Sequence, residues 1–118
     1  MAETVTIYHN PRCSKSRETL ALLEANGVTP KIVLYLQTPP DASTLKTLLK
    51  TLKLTARDLL RTKEDEYKAL KLDNPKLSED DLIAAMVKHP KLIERPIVVK
   101  GRRAVLGRPP ENVLQLLG

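Results

Sequence analysis

Hydrophobic and polar positions along the chain change period several times, and each change marks an element. Thr4–His9 reads as a buried strand built on Val5, Ile7 and Tyr8. Asn10-Pro11 is a turn signal. A helical pattern runs from about Ser14 to Ala25, with Leu20, Leu22 and Leu23 as its apolar face and Asn26-Gly27 as its stop. Lys31–Leu36 is a second strand. Thr38-Pro39-Pro40 then breaks the pattern, and the chain reads as helical from Asp41 to His89. Helices are expected over about Ala42–Leu52 (Leu45, Leu48, Leu49 and Leu52 on one side), Ala56–Arg61 and Glu79–Lys88, the last after the N-cap Ser78. Glu64–Leu70 is weakly helical. Arg95–Gly107 reads as two short strands around Lys100-Gly101-Arg102, a hairpin signal. A last helix starts near Pro109-Pro110 and carries Val113, Leu114 and Leu117. The order is βαβ, a helical insert over about residues 41–89, then ββα. That is one α/β domain, 1–118, with helices packed on a single sheet.

Composition narrows the class. The 118 residues, 42% hydrophobic, suffice for one core and are too few for two ordinary ones. With no Phe or Trp, that core is mostly aliphatic. No apolar stretch has the length of a membrane span, and the N-terminus lacks the design of a secretory signal. The expectation is a cytoplasmic protein with no membrane partner. The formal charge of +6 comes from Lys and Arg spread along the chain. No basic tract interleaves with aromatics, so a solvated basic surface is favoured over nucleic-acid binding.

One cysteine excludes an internal disulfide and fits a reducing compartment. Cys13 falls at the start of the first helix, where free N–H groups and the helix dipole favour negative charge. A thiol there has a lowered pKa, and Arg12 and Arg17 on its flanks are expected to push the same way. The same N–H groups suit an oxyanion. The spacing Cys13-Ser14-Lys15-Ser16 is C-x-x-S. Ser16 cannot resolve a mixed disulfide, but its hydroxyl can donate to a thiolate or to a bound oxyanion. His9 is either a base for Cys13 or a satisfied histidine at a strand end. Two distant His and one Cys do not make a zinc site, so no metal is expected.

The stretch "TIYHNPRCSKSRETL" resembles the active-site loop of the glutaredoxin-dependent arsenate reductases, the ArsC family. The likeness continues through "LYLQTPP", "ARDLLRTKEDEY", "HPKLIERPIVV" and "LGRPPENVL", in family order and over nearly the whole chain. The resemblance implies a thioredoxin-like fold with a small mixed sheet. It implies that Cys13 is the nucleophile and that Arg61, Arg95 and Arg108 hold the oxyanion. His9, Asn10 and Ser16 then support the thiolate, and the Arg95–Pro96 bond is cis. One departure is at the end: the chain stops at Gly118, where well-studied reductases carry a longer tail.

The residues themselves fit such a task, since arginine offers a planar fork that stays charged. Arg95 opens a buried-looking strand, where a charge needs a partner or a function. Arg61 also reads as a surface or capping cation. The pattern alone does not choose Arg108 over Arg102 and Arg103, which fit a solvated hairpin tip; the resemblance does. The expected function is reduction of arsenate, or a similar oxyanion, to arsenite. No cofactor is bound, and glutathione and glutaredoxin act as external reductants on a monomer. The alternatives are a non-enzymatic Spx-like regulator binding RNA polymerase, for which Ser16 lacks the second cysteine of the usual switch, and an ArsC-like thiol oxidoreductase with another substrate.

Overall fold

The computed structural model describes residues 4–117. They divide into two compact units, one from the two ends of the chain (up to residue 38 and from residue 95) and one from the continuous stretch 39–94.

The first unit is a four-stranded sheet with a helix and a 3₁₀ segment. Strand β1 (Val5–His9) pairs in parallel with β2 (Lys31–Leu34) and antiparallel with β3 (Ile97–Lys100), which pairs antiparallel with β4 (Arg103–Leu106). The order β2-β1-β3-β4 is the small mixed sheet expected of a thioredoxin-like fold. The parallel β1–β2 pair is joined by helix α1 (Ser14–Ala25), as a parallel crossover requires. Register sets Ile7 opposite Ile32 and Val98, and Val98 opposite Val105. Ile7 and Val98 are fully buried with Val5, Leu23, Val113 and Leu116. Because side chains alternate along a strand, the buried row Val5, Ile7 continues to His9 at the end of β1. The Arg95–Pro96 bond is cis, as the resemblance implied, and so is Arg108–Pro109.

Three sequence expectations shift here. Strand β2 ends at Leu34, because the N–H groups of Gln37 and Thr38 turn back onto the Leu34 carbonyl. The face of α1 that is buried carries Ser16, Thr19 and Leu23, while Leu20 and Leu22 lie partly covered at its margin. The last helix is a 3₁₀ helix, Pro110–Leu116, whose buried residues Pro110, Val113 and Leu116 recur every third position. That is the 3₁₀ repeat, and it leaves Leu114 exposed.

The second unit is helical. Its helices are α2 (Ala42–Leu52), α3 (Ala56–Leu59), α4 (Asp65–Ala69) and α5 (Glu79–Lys88), followed by a 3₁₀ turn, Pro90–Leu92. Leu45, Leu59, Met86 and Leu92 are fully buried. Helix starts are closed locally. Asp41 accepts the Thr44 N–H at 2.8 Å, and Thr55/Asp58 and Ser78/Asp81 form capping boxes. Short α4 buries nothing, in keeping with its weak pattern.

Candidate active site

The site is assembled where β1 hands over to α1. Asn10 forms the turn: its carbonyl accepts the Cys13 N–H at 3.0 Å and its Oδ1 accepts the Arg12 N–H at 3.0 Å. This Asx turn sets Cys13 in extended backbone as the N-cap of α1. No acidic residue occupies the first helical turn. The half-buried sulfur therefore faces open N–H groups with no carboxylate competing for them.

Two effects oppose each other at that sulfur. Burial pushes the Cys13 thiol pKa up. The backbone N–H of Ser16, the Arg95 guanidinium and the backbone N–H of Lys15 pull it down, and together they win. Arg108 adds a second guanidinium, with Nη1 3.9 Å from Sγ and 3.3 Å from the Arg95 carbonyl. The structure thus brings Cys13, Arg95 and Arg108 together. Arg12 and Arg17 do not carry the effect expected of them. Arg17 donates to the Pro11 carbonyl at 2.9 Å, bracing the turn.

His9, Asn10 and Ser16 form a buried polar network on the inner side of the turn, 6%, 7% and 0% exposed. His9 Nδ1 lies 2.6 Å from Ser16 Oγ, which also accepts the Asn10 N–H at 3.0 Å. Burial first, and the charge of Arg17 second, hold the His9 pKa below its ordinary 6.5, so the ring is neutral at pH 7. Ser16 therefore serves the sulfur with its backbone N–H, while its hydroxyl is taken up by His9 and Asn10. His9 stands one residue further back, aimed at Ser16.

Arg61 lies in the second unit, where its guanidinium meets Glu94 Oε1 at 2.6 Å and Glu64 Oε1 at 3.3 Å. Arg103, expected as a solvated tip residue, instead donates to the carbonyls of Gln115 and Leu116 at 3.4 and 2.9 Å and so closes the final 3₁₀ helix. One member of the site's surroundings was not legible in the sequence. Thr19, fully buried on α1, donates to the Lys15 carbonyl at 2.8 Å and to the Gly107 carbonyl at 3.3 Å.

Residues 8–116 match the ArsC family. The uncharacterized protein YfgD of Escherichia coli K12 is 61% identical over 119 residues and is covered, like this chain, over its full length. An arsenate reductase of Haemophilus influenzae is 52% identical over 115 residues, 97% of this chain and 99% of that one. The solved structure of an arsenate reductase from Vibrio cholerae superposes with a TM-score of 0.94 at 55% identity, covering 98% of both chains.

Proposed function

The chain belongs to the ArsC family, and from that membership we propose that it is an oxidoreductase that reduces arsenate to arsenite, with Cys13 as its nucleophile. The observation that carries the reading is the convergence of Arg95 and Arg108 on a sulfur whose pKa is already lowered at a helix start.

The tetrahedral anion is held by the N–H groups at the start of α1 and by the two guanidiniums. The Cys13 thiolate attacks arsenic(V). An S–As bond forms and one oxygen leaves as water. A glutathione thiol displaces a second oxygen, again as water, so that arsenic carries both sulfurs. A glutaredoxin thiolate then attacks the glutathione sulfur. The electron pair of that S–As bond stays on arsenic, which becomes arsenic(III), and the oxidised product is a glutathione–glutaredoxin disulfide. Hydrolysis of the remaining S–As bond releases arsenite and restores Cys13. Both electrons come from external thiols, which suits a chain with one cysteine. A regulator of the Spx type has no use for two guanidiniums on one sulfur. No helix among the described residues is long and apolar enough to cross a membrane, and we place the reaction in the thiol-rich cytoplasm.

The test is NADPH consumption with arsenate, glutathione and glutaredoxin. Wild type is expected to turn over and Cys13→Ser to fall to background. Turnover by Cys13→Ser at the wild-type rate, or none by wild type, overturns the reading.

A further inference from the structure

Arg108 sits on an exposed loop, and its long side chain has many rotamers. Where its guanidinium spends its time depends on where its Cα is anchored. That anchor is Gly107. Its N–H donates to the Pro96 carbonyl at 2.9 Å, and its carbonyl accepts from Thr19 Oγ1 at 3.3 Å. The approach is close enough that a Cβ on Gly107 would lie 2.5 Å from Thr19 Oγ1 and 2.8 Å from Pro96 Cγ. Thr19 and Cys13 ride on the same helix, with Cys13 at its N-cap. A closed path results: Cys13, helix α1, Thr19, Gly107, Arg108, and back to the Cys13 sulfur at 3.9 Å.

A buried threonine on a helix ordinarily returns its hydroxyl proton to the carbonyl four residues back, and Thr19 does so with Lys15. The sharing of that proton with a carbonyl 88 residues away is what a helical role alone does not require.

We propose that Thr19 is a positioning residue for the reacting centre: its hydroxyl latches Gly107 to helix α1 and so sets the reach of the Arg108 guanidinium to the Cys13 thiolate and to the anion bound there. The inference rests on the functional reading above for the identity of that anion, but the latch itself can be tested without arsenate.

The probe is alkylation of Cys13 by anionic iodoacetate and by neutral iodoacetamide, at a pH where the thiol is ionised in every variant. The ratio of the two rates reports positive charge beside the sulfur. Thr19→Val, similar in shape but without the hydroxyl, is expected to lower that ratio about threefold, the scale of losing one screened charge contact near 4 Å. Thr19→Ser restores the hydroxyl and should keep the wild-type ratio. In an Arg108→Ala background, Thr19→Val should change nothing further. Melting curves establish that each variant is folded; if Thr19→Val is not, Thr19→Ala carries the same expectations. An unchanged ratio in the folded hydroxyl-free variant overturns the latch. So does an equal fall when Arg108 is already absent, because Thr19 would then act only on the general structure. If the ratios behave as expected while wild type shows no arsenate turnover, the latch stands and the substrate assignment fails.

Discussion

The two units spend burial differently. In the first, His9, Asn10, Ser16 and Thr19 are shut away from water as fully as the apolar residues of the unit. In the second, the buried side chains among the described residues are apolar, and its polar groups work at helix ends in Asp41, Thr55 and Ser78. A hydrocarbon core with local caps needs only pattern and volume. A polar core needs each donor matched, because an orphaned buried group costs about 1–3 kcal/mol. The first unit accepts that demand mainly around the turn that presents Cys13 and the helix that follows it.

The contrast can be broken by substitution. Leu45→Ala removes a fully buried side chain from the second unit and should lower unfolding free energy by about 2–5 kcal/mol. A loss below about 1 kcal/mol in urea titration would contradict a close-packed core there. Arg95→Ala should lower arsenate kcat/KM about 100-fold, the scale of removing one donor from a developing anion. It should also move the alkylation midpoint of Cys13 upward, because a guanidinium that lowers the thiol pKa is gone. Ser16→Ala sharpens the comparison at smaller size. It leaves the Asn10 N–H and His9 Nδ1 without their hydroxyl partner, for a loss of about 1–2 kcal/mol. It keeps the Ser16 backbone N–H, so the Cys13 midpoint should move less than in Arg95→Ala. A larger move would return the hydroxyl to the sulfur.

The smallest effect is that of pH. The His9 pKa is held below 6.5 in the fold, so the folded state binds fewer protons than the unfolded one as the ring titrates. Its contribution to stability is complete above pH 6.5 and is lost as pH falls from there through the lowered folded value. His9→Gln should flatten the fall of stability as pH drops below 6.5. An unchanged slope would mean that the ring is not held neutral by burial.

Much of this was legible in the residues. The strand, turn and helix around Cys13 follow from a buried row ending in Asn10-Pro11, and the helical insert from its leucine spacing. Other features were not, for definite reasons. Ser16 was expected to aim its hydroxyl at the sulfur, and Thr19, polar within a helical stretch, carried no signal; their partners are His9 on β1 and Gly107 on a loop distant in sequence. A hydroxyl facing the sulfur and a hydroxyl facing His9 look alike until the histidine is placed in space. The last helix is short and begins with proline, and its 3₁₀ repeat shows only once Val113 and Leu116 have a core to meet. Arg103 looked like a tip residue because its acceptors are backbone carbonyls, which carry no sequence signal.

The order in which the parts of the site are made has a consequence for the nascent chain. The helical unit is one continuous segment, so its contacts can form as soon as it has been synthesised. Sulfur and guanidinium, by contrast, are separated by 95 residues. At about 5–20 residues per second, roughly 5 to 20 s pass between the two. During that interval Cys13 has the N–H groups of its own helix start but not the Arg108 guanidinium. The full set of groups around the thiol is therefore complete only after residue 108 has been added.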